Sequence, residues 1–311
     1  MNYDIIILGH IVKEMIYFPD RIVGPLLGSP VAYSSVVAGK LGAKVGVVTR
    51  AGKDMPDYLL SPISQVVADR KGIRIEGEKT TLSKLIYLDS GDKRIEYPQK
   101  APIISFKDIP REYFSCKLVY ICTMDYEVPL DVITKLKELD IPLAIDLGGY
   151  GGAHGQTHPS EEEKKRPTLL KSYIANFQVV KASDEDCRLL FGDRSHEEIV
   201  DIFLSWGVKN VLITEGPKGV FVATKEKRCR IPAFNGENEV IDRTGAGDSF
   251  TAGFLVEFLR SRDPEFSAYY GSAVANYIIK RTGGVLLERM PVKEDVEKIL
   301  KQNKIKLRLK K

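Results

Sequence analysis

The stretch FQVVKASDEDCRLLFG (177–192) changes its hydrophobic period halfway along. FQVVKAS (177–183) is a short apolar run of the kind that is buried on both faces of a sheet. EDCRLLFG (185–192) carries helical spacing, and S-x-x-D marks the junction. A strand running straight into a helix is the unit of a parallel sheet. The same rhythm extends in both directions from this point. YDIIILG (3–9), KVGVVTR (44–50), KLVYICT (117–123), IPLAIDL (141–147) and NVLITEG (210–216) are short runs rich in Ile and Val. PLDVITKLKEL (129–139) and HEEIVDIFLSWG (196–207) have helical spacing. Continuous apolar strands alternating with helices imply a mostly parallel sheet covered on both faces, an α/β sandwich of three layers.

Two stretches break the rhythm. Residues 10–27 contain EMIYFPDRIV, and TTLSKLIYLDSGDKRIEYP alternates around an SGDK turn like a β-hairpin. Strands outside the alternation, at about 10–27 and 80–98, suggest a small β-sheet lid inserted in one domain of residues 1–311. Helices are expected over 246–260, 265–281 and 292–302.

Composition sets outer limits. The 311 residues are 43% hydrophobic and 28% charged, with a net charge of +4, which suits an ordinary globular chain. No run of apolar residues is long enough to span a membrane. The basic tail KIKLRLKK has no aromatic-interleaved patch beside it, so neither nucleic acid nor membrane is the expected partner. Cys116, Cys122, Cys187 and Cys229 are scattered without metal spacing. Reduced thiols in a cytoplasmic protein are the simplest reading.

DRTGAGD (242–248) runs two glycines and a carboxylate into an apolar helix marked by Phe250, Phe254, Leu255 and Phe258. Exposed first-turn amides, with no side chain at 245 or 247, would cradle an anion. Asp248 at the rim could accept a proton from an attacking hydroxyl. A plain turn, with Asp248 complementing the helix dipole, accounts for the same letters.

The motif, with GFL behind it, resembles the C-terminal signature DTxGAGD of the ribokinase family, the phosphofructokinase-B carbohydrate kinases. The resemblance implies a ribokinase-like fold and an ATP- and Mg2+-dependent transfer of the γ-phosphate to a sugar or polyol, with inositol among the acceptors. Gly245, Ala246 and Gly247 would then form the anion hole and Asp248 would be the catalytic base. Arg243 replaces the family's Thr. KASDEDCRLLFG resembles the KxNxxE segment, which implies phosphate-side roles for Lys181 and Ser183 and a water-mediated metal role for Asp186. Capping explains Ser183 and Asp186 equally well. ITEGPKGVFV (213–222) resembles the TxGxxG turn, implying Thr214, Gly216 and Gly219 at the nucleotide. SAVANYIIKRTGG (272–284) falls where the family flanks adenine, implying Ser272 and Ala275. GSPVAYSSVVAGKLGAKVGVVTRAGKD (28–54) resembles the first signature, with Gly28 as the substrate glycine. Tyr33 stands where that signature has Asn, and in GHIVKE (9–14) Glu14 takes the place of the substrate Asp. Glu14, Gly28 and Tyr33 are therefore the expected substrate contacts, and the changes point away from ribose or fructose bound in the usual way.

Two readings stay beside this one: a nucleoside kinase of the same family, and a non-catalytic nucleotide or sugar sensor on the same fold. A monovalent cation would depend on backbone carbonyls around Asp242. EMIYF and KLIYL could pair two copies through the lid or simply close over substrate. DLGGYGGAHG (146–155) does not spell a dinucleotide motif, and the resemblance, which puts this strand end near the substrate, implies a loop that widens the pocket. His154 and His158 lie in a stretch where no helix would align them on a metal. EEEKKR (161–166) reads as a solvated helix face, and the absence of GxxxxGK[ST] argues against a P-loop kinase.

Overall fold

The computed structural model describes residues 2–87, 93–234 and 240–305. Among them, a nine-stranded sheet runs in the order β13-β12-β11-β10-β9-β8-β1-β4-β5. Its strands are β1 (Tyr3–Leu8), β4 (Val45–Ala51), β5 (Ile73–Ile75), β8 (Cys116–Cys122), β9 (Leu143–Asp146), β10 (Val179–Ser183), β11 (Asn210–Thr214), β12 (Val220–Ala223) and β13 (Arg228–Ile231). All pairings are parallel except β11–β12 and β12–β13, which close one edge as an antiparallel meander.

Alternation along each strand divides the core in two. Ile5, Ile7, Val47, Leu118 and Tyr120 point to one face, where α1 (Pro30–Lys40), α2 (Asp57–Val66), α8 (Ala246–Ser261), α9 (Pro264–Ile279) and α10 (Lys293–Gln302) cover them. Ile6, Leu8, Val119, Ile121 and Val180 point to the other, under α3 (Leu130–Lys137), α5 (Thr168–Ile174), α6 (Asp184–Phe191) and α7 (His196–Ser205). This is the expected three-layer arrangement. The short α4 (Glu161–Lys165) has no buried residue, as a solvated face requires.

A second sheet, ordered β3-β2-β6-β7, is built from β2 (Val12–Tyr17), β3 (Ile22–Gly28), β6 (Leu82–Tyr87) and β7 (Lys93–Gln99). Its strands come from the two stretches that broke the βα rhythm. The SGDK turn of the hairpin falls largely on residues 90–92, outside the described residues. Strand β2 alternates buried and half-buried positions, the pattern of a sheet with one face on the body.

Chain order places a switch point beside β1. The chain passes from β1 toward β4 and β5, then crosses back to β8 and on to β11. At such a reversal the loops diverge and leave a crevice at the carboxyl ends of the strands. Gly9 ends β1 there at φ 148, and a side chain at this position would strike the Cys122 carbonyl.

Candidate active site

The first turn of α8 closes on this crevice. Gly245 caps the helix in the left-handed region at φ 76, so Ala246, Gly247 and Asp248 form its opening turn. A Cβ on Gly245 would sit 2.2 Å from the Tyr33 ring, hence only glycine fits. Around Gly247 the nearest group is the Lys181 Nζ, 3.9 Å from where a Cβ would lie, and the space above the loop is otherwise open. The Ala246 amide turns back onto the Arg243 carbonyl at 3.1 Å, so of the three residues expected to form an anion hole its N–H is spent on the turn. The first-turn amides of a helix have no intrahelical acceptor, and the dipole adds positive potential there. Asp248 is 9% exposed, and its carbonyl accepts from Ser34 on α1 at 3.4 Å.

Beneath the loop lies a buried charge cluster. Lys181, on β10, is paired with Asp146 at the end of β9 at 2.9 Å and lies 3.9 Å from Asp186. Burial opposes its charge, but Asp146, Asp186 and Asp248 outweigh burial and raise its pKa above the ordinary lysine value. It remains an ammonium facing the loop.

Asp186 has the capping role. Its side chain accepts from the Ser183 N–H at 2.6 Å while Ser183 Oγ accepts from the Asp186 N–H at 3.0 Å, a complete capping box on α6. Its other oxygen accepts from the Ala153 N–H at 2.8 Å. Burial pushes its pKa up, but Lys181, His154 and these amides outweigh burial and hold it below the usual carboxylate range. The Gly-rich loop explains itself by the same closeness: a Cβ on Gly152 would lie 2.4 Å from the Asp186 carboxylate, and one on Gly149 2.3 Å from Thr123.

The expected substrate residues divide. Glu14 is 7% exposed and folds over Gly28, where a Cβ would come within 3.0 Å of it. The smallness of Gly28 therefore serves Glu14 directly. Tyr33 is 2% exposed, its ring lies on Gly245, and its hydroxyl accepts from Arg289 at 2.9 Å. Burial raises its pKa well above the tyrosine norm, with the Arg289 charge opposing. Its ring and hydroxyl brace the loop at Gly245.

The turn after β11 is shaped as the TEGPKG pattern requires. Gly216 and Gly219 adopt φ 57 and φ 102, and a Cβ on Gly219 would strike the Ile231 carbonyl. Thr214 pairs in register with Ser183 across β10 and β11, which brings this turn beside the capping box. Ser272 is buried within α9 and Ala275 is half-buried against the core. No hydrogen bond or ion pair among the described residues ties either of them to the anion loop.

Four residues escaped the sequence reading. Asp146 ends a strand in a position that the Gly-rich run drew attention away from. Tyr87 of β6 lies near the Thr244 side chain, and Tyr97 of β7 donates to the His154 carbonyl at 2.8 Å, tying the small sheet to the body. The fourth is Arg289, which is 1% exposed. Only a lone arginine within GGVLLERMP signalled it. Among the described residues no group of three or more His, Cys, Asp or Glu could hold a metal, and His154 and His158 belong to none. No helix of the described residues is long and apolar enough to cross a membrane.

Comparison with known proteins agrees with this fold. A family model for the pfkB family carbohydrate kinases matches residues 33–289. A cytidine kinase of Thermococcus kodakarensis is 30% identical over 285 residues, covering 90% of this chain and 97% of that protein. The solved fructokinase of Xylella fastidiosa with bound ATP superposes with a TM-score of 0.78 at 20% identity, over 96% of this chain and 99% of that one. The nucleoside kinase of Methanocaldococcus jannaschii superposes at 0.73 and 21% identity, over 97% and 100%.

Proposed function

The chain belongs to the pfkB family of carbohydrate kinases, and on that premise we propose that it transfers the γ-phosphate of ATP to a hydroxyl of a sugar or polyol. The observation that carries this reading is the convergence at the start of α8. The Lys181 ammonium lies 3.9 Å from where a Cβ on the bare Gly247 would be, and Asp248 stands close enough to help hold its charge.

In this reading the acceptor lies between Glu14 and Asp248, beneath the small sheet. Asp248 takes the proton of the attacking hydroxyl. The amides of the first turn and the helix dipole meet the negative charge of the transferred group, with Lys181 behind them. The small sheet acts as a lid that excludes water and limits wasteful hydrolysis of ATP.

Mg2+ fits the donor set as an ion carried on the phosphates. Such an ion keeps much of its water shell and needs few protein ligands. Asp186, its oxygens already receiving main-chain N–H groups, would reach it only through water. Bound there, the ion would neutralise phosphate charge.

Asp248→Asn tests the assignment. The expected result is a fall in turnover of about a thousandfold with ATP affinity retained. Unchanged turnover would overturn the mechanism, and a sensor that never turned over would show no ADP release in the parent protein.

A nucleoside acceptor is the second reading. The cytidine kinase relative favours it, as does the half-buried aromatic ring of Tyr87, close enough to Glu14 to feel its charge. ADP release over a panel of hexoses, pentoses, inositols and nucleosides separates the two.

A further inference from the structure

Five backbone carbonyls converge on one buried guanidinium behind the anion loop. Arg289 Nη2 donates to the Thr244 carbonyl at 3.0 Å and the Asp242 carbonyl at 3.4 Å. Its Nη1 donates to the carbonyls of Gly283 and Gly284 and to the Tyr33 hydroxyl, and its Nε to the Arg281 carbonyl at 3.1 Å. The Asp242 carboxylate lies 3.5 Å from Nη2. A guanidinium has five N–H donors and no acceptor, and here all of them face acceptors. The turn that carries Arg289 is itself held, since Lys40 donates to the Leu287 carbonyl at 2.8 Å.

Carbonyls around Asp242 are the ligands that a monovalent cation would need beside this loop. Hard cations of that kind take oxygen donors and need a cage left free for them. Here the cage is filled by a side chain whose charge would also repel a second cation. The donor set therefore does not fit a bound monovalent ion.

We propose that Arg289 is the built-in cation of the anion loop, a positioning residue that makes turnover independent of K+ and NH4+. It links two segments far apart in the chain, 242–244 and 281–284, and sets the carbonyl side of the loop so that the amides of Gly247 and Asp248 face the phosphate. Through Tyr33 it also clamps the ring on which Gly245 rests. A fixed positive charge behind the loop adds to the potential that an anion meets in front of it. The proposal rests on the kinase reading.

The test begins with the parent enzyme, assayed with Mg2+ and the Tris salt of ATP on its best acceptor. KCl is then titrated against tetramethylammonium chloride at equal ionic strength. A change below about threefold supports the proposal, and a larger stimulation by K+ overturns it. In Arg289→Ala, kcat should fall about a hundredfold with little change in the KM for ATP, and guanidinium or K+ should restore at least part of it. A folded variant with parental kcat overturns the proposal, as does an impaired one that neither ion rescues. If Arg289→Ala does not fold, Arg289→Lys keeps the charge without the planar fork and should show the same kcat deficit at smaller scale. Parental kcat in Arg289→Lys overturns the proposal. Thermal unfolding gives a readout apart from catalysis. K+ should leave the parent midpoint where tetramethylammonium leaves it, and a specific rise of that midpoint with K+ overturns the filled cage. Absence of ADP release from the parent in K+ buffer with every acceptor would instead sink the kinase reading, with the thermal readout still judging the cage.

Discussion

Gly245 and Gly247 stand two residues apart in one motif, yet different physics holds each of them. Gly245 is left-handed and pressed against the Tyr33 ring, so Gly245→Ala combines backbone strain with a steric clash. Its stability to urea should fall by about 2 kcal/mol or more. Gly247 is inside the helix with open space above it. Gly247→Ala should leave stability unchanged or raise it by about 1 kcal/mol, because alanine favours the helix. Its turnover should nevertheless drop, because the methyl group would occupy the anion cradle. Urea titration with steady-state kinetics on both variants checks the contrast, and equal stability losses would refute it. Both glycines are legible in the motif, but which one is structural is not. That depends on a tyrosine 212 positions away in the chain.

Among the elements, the βα units are the most legible, because each strand is buried on both faces and each helix carries its own cap. Ser183 and Asp186 form the expected capping box, and Ser195 with Glu198 form another on α7. The small sheet depends on longer-range pairs. Asp54, in the loop after β4, pairs with Lys13 of β2 at 2.7 Å and accepts from the Thr80 N–H at 2.6 Å. Burial acts to raise its pKa, but Lys13 and Thr80 outweigh burial and lower it to about 2. A depressed carboxylate contributes stability that is present above its unfolded pKa and lost as pH falls through the folded value. The window here lies between about pH 4 and pH 2. Asp54→Asn should lower the thermal midpoint near neutral pH, and the difference from the parent should shrink across that window. A difference that persists at the acid end would show that Asp54 contributes through packing and not through charge. Nothing local to Gly-Lys-Asp-Met (52–55) announces this role, because the partners come from other strands.

At the scale of the molecule, the small sheet meets the body where Tyr97 donates to the His154 carbonyl and where Tyr87 lies near Thr244. If it serves as a lid, the double variant Tyr87→Phe/Tyr97→Phe should raise ATP hydrolysis in the absence of acceptor relative to acceptor phosphorylation, by about threefold or more. An unchanged ratio would remove these two tyrosines from the account of water exclusion. The sequence by itself determined the layered α/β architecture, the helices and their caps, and the candidate base and cradle. These follow from hydrophobic period and from motifs within a few residues, and local physics writes such signals into adjacent letters. Only the tertiary structure decided that Lys181 answers to Asp146, that Gly28 makes room for Glu14, and that Tyr33 and Arg289 stand behind the anion loop. Those contacts join segments up to 256 positions apart, where burial and charge compensation are set by the folded chain and leave no pattern in neighbouring residues.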